Sequence, residues 1–199
     1  DEEIKDSGLA MFSEQRGLRS QFWNRVMFPI QDINHRVIGF GGRVMGDGEP
    51  KYLNSPETMI FDKRRNLYGL NFARTARTGN IILCEGYMDV IALHQAGFDN
   101  AVASMGTALT VEQTRLLSRF TKELVLCYDN DNAGKIATER ALQILNGSEF
   151  SVKVLQLPRR LVDGEYIKQD ADDFIKLQGP DAFERLLNGS ENGVEFRMA

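Results

Sequence analysis

From Asn80 onward, short apolar runs alternate with stretches whose apolar residues recur at helical spacing, a pattern that predicts an α/β fold with a parallel sheet and crossover helices. The first strand runs from Ile81 to Glu85 and leads through Gly86 into a helix from about Tyr87 to Ala96, closed by Gly97. A second strand spans Ala101 to Met105, and the helix after it opens on Thr110 and Gln113 in capping-box spacing and runs to about Phe120. Leu124 to Tyr128 is a continuous apolar run, as suits a strand covered on both faces. A helix from Lys135 to Leu145 and a fourth strand from Val152 to Leu157 follow, closed by Pro158. Arg159 to Gln169 reads as a polar loop, after which one helix begins at about Asp172 and a last one follows Pro180.

The amino-terminal part reads differently. Asp1 to Leu9 looks like a helix end stopped by Gly8. Strand character begins at Arg25 and resumes after a polar turn at Asp32 to His35, which predicts a hairpin. Gly39, Gly41 and Gly42 do not make a phosphate loop, because no helical pattern follows them; they relieve crowding or permit close approach. A helix is expected over Leu67 to Arg77. The pattern therefore divides the chain into a smaller mixed α+β subdomain over residues 1–78 and a parallel-sheet domain over 79–199.

Charge sharpens that division. Residues 16–77 hold 11 Lys and Arg against 5 Asp and Glu, whereas residues 80–199 hold 12 against 18, so the net charge of -4 hides a basic part and an acidic part. Such a pairing suits an enzyme acting on polyphosphate or nucleic acid with a divalent metal, and it also suits two solvated surfaces of opposite sign. With 42% hydrophobic residues the chain can bury a core, and no apolar run approaches the roughly 20 residues of a membrane span. No charged-then-apolar leader opens it, so export is not expected. Cys84 and Cys127 sit inside apolar runs as buried thiols, and without a CxxC pair no zinc site is expected.

The candidate chemistry gathers at strand ends. Asp129 closes the third strand, Asp131 follows, and Gly134 lets the backbone turn into a helix; the two carboxylates offer hard oxygen ligands to Mg²⁺ or Mn²⁺, or else cap that helix. Glu85 closes the first strand, so in a parallel sheet it projects from the same edge as Asp129. Asp89, one turn further, faces that cleft or favours the positive end of the helix dipole. Asp170 and Asp172 form a second Asp-x-Asp before a helix, where capping is again the competing role. Taken together, Glu85, Asp129, Asp131, Asp170 and Asp172 match the needs of two-metal phosphoryl transfer. Arg43, Lys51 and Lys63 lie on three separate elements, either converging on an anion or scattered over the surface.

The Glu-Gly strand end followed by Asp-x-Asp-x-x-Gly resembles the TOPRIM domain, a Rossmann-like parallel sheet with flanking helices. The segments NRVMFPI, VIGFGGRV, PKYLNSPET, YGL, EGYMDV and ASMGTALT, between Asn24 and Thr110, more specifically resemble the catalytic core of the bacterial replicative primases of the DnaG type. That resemblance implies template-directed synthesis of short RNA primers on single-stranded DNA from nucleoside triphosphates. It implies Glu85, Asp129 and Asp131 as catalytic, and Glu85, Asp129, Asp131, Asp170 and Asp172 as ligands of Mg²⁺, for which Mn²⁺ substitutes, with Asp89 in the same acidic group. Arg43, Lys51, Tyr52, Asn54 and Lys63 would contact nucleotide or template. Asn130 stands where that family often has glycine and Ala171 where proline is usual, so the ligand types survive. It further implies a cytoplasmic bacterial protein at the replication fork, met by the replicative helicase through a carboxyl-terminal domain absent from these residues, and a monomeric fragment. A TOPRIM nuclease or topoisomerase-type subunit, and a nucleic-acid-binding fragment inactive on its own, are the competing readings.

Overall fold

The computed structural model describes residues 2–15 and 17–193. Its amino-terminal half holds α1 (Glu2–Asp6), β1 (Ala10–Ser13), β2 (Gly17–Ser20), β3 (Arg25–Gln31), β4 (Val37–Val44), β5 (Tyr52–Asn54) and α2 (Leu70–Ala73). The remainder holds β6 (Asn80–Cys84), α3 (Tyr87–Gln95), β7 (Ala101–Ala103), α4 (Val111–Leu117), β8 (Glu123–Leu126), α5 (Asn132–Leu145), β9 (Ser151–Val154), β10 (Arg160–Val162), β11 (Glu165–Ile167), α6 (Ala171–Gln178), α7 (Pro180–Asn188) and β12 (Glu191–Asn192). Asp1, with which the expected first helix begins, lies outside the described residues.

Alternation within the apolar runs sets the layers. Ile81, Leu83, Leu124 and Leu126 face one side of the central sheet and pack with Leu117 of α4 and Ala141, Leu142 and Leu145 of α5. Ile82, Cys84, Val125 and Cys127 face the other, against Val90 and Leu93 of α3, Phe174 of α6 and Phe183 of α7. Both faces being covered explains why β6 and β8 are apolar after their first residues, Asn80 and Glu123. The strand order is β12-β9-β8-β6-β7, with β9, β8, β6 and β7 parallel and β12 antiparallel at the edge. β6 and β8 are therefore neighbours, and their carboxyl ends lie side by side.

The second sheet, β3-β4-β5, is antiparallel with an irregularity at Ile30/Gln31. A small cluster of Ile30, Phe61, Tyr87 and Met105 joins it to the parallel sheet. The glycines of β4 permit that junction: a Cβ on Gly41 would lie 2.5 Å from Tyr87 Cζ, so the ring occupies the space that glycine leaves. The Tyr87 hydroxyl donates to Asn54 Oδ1, and Asn54 Nδ2 donates to the Met105 carbonyl at 3.0 Å, crossing between the two sheets.

Several elements depart from the pattern-based expectation. The helix over Leu67 to Arg77 is only the four-residue α2, because Tyr68 pairs with Ala103 as an isolated bridge and Gly69 adopts φ 83°. The segment Arg159 to Gln169 is not an open loop but holds the hairpin β10–β11, turned by Asp163 and Gly164 at φ 49° and 86°, the conformation an Asp-Gly turn favours. Likewise β1 and β2 form a hairpin that hydrophobic periodicity does not mark. The strand expected to reach Met105 ends at Ala103, and Met105 takes φ 60°. Among the described residues, no helix is long and apolar enough to cross a membrane.

Candidate active site

Glu85 and Asp129 are placed by the sheet itself. Each follows the last residues of a central parallel strand, and the Asp129 backbone N–H donates to Glu85 Oε1 at 3.1 Å. The chain then has to turn sharply into α5. Asp131 caps that helix, its Oδ1 accepting from Gly134 N at 2.8 Å, and Gly134 is required because any Cβ there would collide with the Asp129 carbonyl. Asn130 ties the same turn to β9's exit through Nδ2 to the Leu157 carbonyl at 3.0 Å. Capping and convergence are thus not alternatives at Asp131, because one oxygen caps and the other faces outward.

The second acidic segment is brought in by α6. Asp170 is its N-cap, with Oδ1 accepting from Asp173 N at 2.8 Å, and Asp172 N reaches Asp89 Oδ1 at 3.4 Å. Asp89 also accepts from Gly86 N at 3.2 Å, closing the amino end of α3. Asp89 therefore does both things expected of it as alternatives. Asp172 pairs with Lys176 Nζ at 2.6 Å on the next turn.

A cleft of about 350 Å³ is lined by Glu85, Asp89, Asp129, Asp170 and Lys168 on the acidic side and by Lys51, Tyr52 and Asn54 on the basic side. Arg43 pairs with Tyr52 across β4 and β5, and its guanidinium lies 5.8 Å from the Tyr52 ring centre, with Lys51 Nζ at 6.0 Å. Lys63 is not among the cleft residues; its carbonyl is held by Gln113 Nε2 at 2.9 Å, which fixes the basic run of the chain against α4.

Electrostatics follow from these contacts. Burial, reinforced by the negative charge of Asp129, raises the proton affinity of Glu85. Burial, with Asp170 and Asp129 nearby, pushes Asp89 up to about 7. Asp131 is held below the usual carboxylate range by the Gly134 N–H and by Lys168. Lys168 is the residue the sequence did not reveal: its Nζ lies 2.9 Å from Asp129 Oδ2 and 3.1 Å from Asp131 Oδ2, and no spacing signal singles it out in a polar stretch.

Among the described residues no three acidic, histidine or cysteine side chains converge as a finished metal cluster. The donor set nevertheless fits a hard divalent ion: the outward oxygens of Asp129 and Asp131 already share one cation, the Lys168 ammonium, and Glu85 adjoins Asp129. The donors offered are all oxygens. That choice favours hard ions over softer metals.

A Toprim-like family model matches residues 82–175, and a model of the DNA primase catalytic core, N-terminal domain, matches residues 1–74. The chain is 46% identical over 197 residues to the DNA primase of Clostridium acetobutylicum, covering 98% of this chain and 32% of that one. To the Enterococcus faecalis DNA primase it is 43% identical, with 98% and 31% covered. The chain thus spans about a third of the length of the curated relatives it matches. Among solved structures, the Escherichia coli primase catalytic core superposes with a TM-score of 0.86 at 41% identity, covering 99% of this chain and 62% of that one. A DnaG primase catalytic domain bound to ssDNA gives 0.84 at 41%, with 96% and 59% covered. Matched by both domain models in their order along the chain and by solved catalytic cores over nearly its whole length, this chain belongs to the DnaG-type bacterial DNA primase family.

Proposed function

We propose that the protein of which this chain is part makes short RNA primers on single-stranded DNA from nucleoside triphosphates, by metal-dependent nucleotidyl transfer in the cleft between the two sheets. One observation carries this: the ends of two adjacent parallel strands present Glu85 and Asp129 to the same cleft that Lys51, Tyr52 and Asn54 line from the basic subdomain. In this reading residues 1–78 are the basic subdomain and 79–199 the TOPRIM domain with its trailing acidic segment.

Glu85, Asp129 and Asp131 would hold Mg²⁺, with Mn²⁺ able to substitute, and Asp170 and Asp172 would extend the donor set. The bound ion supplies positive charge where the attacking and leaving oxygens carry negative charge. Burial and the Asp129 charge raise the proton affinity of Glu85 in the metal-free chain, and an ion bound between these carboxylates would lower it again. Lys51 and Arg43, ranged over Tyr52, hold triphosphate or template phosphates without reading sequence, and the ring offers a face to a base. Lys63, outside the cleft, serves the template along the outer basic surface. The parent protein is read as meeting the replicative helicase at the replication fork in the bacterial cytoplasm. The piece alone, as a monomer, is read as binding nucleic acid without turning over.

The test uses a complete primase carrying Glu85→Gln or Asp129→Asn. Primer synthesis is expected to fall at least about 100-fold in each, with circular dichroism unchanged. Activity persisting in both variants would remove these residues from the catalytic role.

A further inference from the structure

Among the described residues, the hairpin β10–β11 belongs to no larger sheet and its two strands pair only with each other. Its residues are exposed apart from half-buried Val162, so it has little packing on the body. The chain leaving it arrives at Lys168, whose Nζ bridges Asp129 Oδ2 and Asp131 Oδ2 at 2.9 and 3.1 Å. On the other side, Arg159 makes only long contacts of 3.4 Å with the Asn130 carbonyl. The ammonium is therefore a firmer tie at the hairpin's base than the Arg159 guanidinium. Nothing steric keeps it there: the Lys168 side chain is 57% exposed, on a flexible stem. Charge keeps it there.

The oxygens it uses matter. Asp131 gives Oδ1 to the backbone of α5 and Oδ2 to Lys168, so the oxygen free for an incoming ion is the one the ammonium holds. A divalent ion brings twice the charge and bonds oxygen directly at roughly 2.0–2.1 Å, so on entering it outcompetes the ammonium for these oxygens and repels it.

We propose that Lys168 is an internal counter-ion of the Asp129–Asp131 pair, displaced when a divalent cation enters, and that its displacement unties the base of the β10–β11 hairpin. The inference rests on the metal reading given above and adds to it a residue that sets the cleft's affinity for metal and links occupancy to an exposed hairpin. Exposed ion pairs are individually weak, so the penalty that Lys168 imposes on metal binding is modest, about 3- to 10-fold.

The experiment titrates Mn²⁺ into the metal-free chain, reads free Mn²⁺ by electron paramagnetic resonance, and follows amide hydrogen exchange over residues 160–168. Four forms are compared: the unsubstituted chain, Lys168→Met, Lys168→Arg and Asp129→Asn, each checked for an unchanged urea-unfolding slope. The expected result is Mn²⁺ binding about 3- to 10-fold tighter in Lys168→Met, no tightening in Lys168→Arg, and strong weakening in Asp129→Asn. Mn²⁺ should speed exchange in the hairpin of the unsubstituted chain, whereas in Lys168→Met the hairpin should already exchange fast without metal. Equal Mn²⁺ affinity in the unsubstituted chain and Lys168→Met, or hairpin exchange indifferent to Mn²⁺, overturns the counter-ion role while leaving the metal site standing. Mn²⁺ binding that Asp129→Asn does not weaken overturns the metal reading itself, and this inference with it.

Discussion

Asp89 caps the helix that begins beside it and also accepts the backbone of the second acidic segment, from Gly86 N at 3.2 Å and Asp172 N at 3.4 Å. Its burial among other carboxylates raises its folded-state affinity for a proton to a value of about 7, against 3.8 for the free side chain. Between those two pH values the folded chain holds a proton that the unfolded chain has released. Stability from this group is therefore full near pH 4, declines as pH rises, and levels off above 7. The metal-free chain is expected to lose urea resistance from pH 5 to 7.5, and Asp89→Asn to flatten that decline; parallel profiles for both forms would show that Asp89 is not its source. Gly134 makes a different demand at the same scale, since a methyl group there meets the Asp129 carbonyl rather than a yielding side chain. Gly134→Ala is expected to cost about 2–4 kcal/mol in urea unfolding and to weaken Mn²⁺ binding by shifting Asp129, whereas an unchanged midpoint would mean that the turn relaxes freely.

At the scale of elements, what could be read from sequence depended on whether local pattern or distant contact decided the outcome. The strand-to-helix alternation from β6 to β9 was legible, because burial on both faces writes continuous apolar runs, and the Thr110–Gln113 capping box appears as read, with both reciprocal bonds. The long helix expected at Leu67 was not, because the bridge from Tyr68 to Ala103 and the left-handed Gly69 are set by a strand more than thirty residues away. The hairpin β10–β11 did carry a local signal, Asp163-Gly164 between Leu161-Val162 and Tyr166-Ile167, which the expectation of a polar loop did not use. Gln113 shows how an element's terminus reaches beyond itself: fully buried, it completes the capping box through Oε1 and holds the Lys63 and Asn66 carbonyls through Nε2 at 2.9 and 3.0 Å. Gln113→Ala is expected to destabilise the chain by about 2–3 kcal/mol and to speed amide exchange in the basic run Lys63 to Arg65, since buried acceptors lose their donor. Loss of helix stability without faster exchange in that run would confine Gln113 to capping.

Across the whole molecule, the separation of charge along the chain becomes a separation across one cleft, with Lys51 and Tyr52 on one wall and Glu85, Asp129 and Asp170 on the other. Composition foretold two charged regions but not that they would face each other, which depends on the strand order placing β8 beside β6 and on Asn54 and Tyr87 joining the sheets. Under the proposed function, the acidic wall repels the phosphate backbone that the basic wall attracts, so nucleic acid would be held from one side and the reacting phosphates brought to the carboxylates by metal. This asymmetry separates two functions that mutation can test independently. Each phosphate contact on a single strand contributes roughly 0.7 to the slope of log affinity against log salt. Replacing Arg43 and Lys51 together by Ala is therefore expected to lower the magnitude of that slope for single-stranded DNA by about 1.4, with weaker binding to every sequence. Asp129→Asn should leave the slope unchanged and bind the strand no less tightly, because it removes charge from the repelling wall. Fluorescence anisotropy of a labelled oligonucleotide across a salt series measures both. A slope that Arg43 and Lys51 do not alter would move the strand off the Tyr52 wall and onto the outer basic surface around Lys63, leaving the cleft to the triphosphate alone.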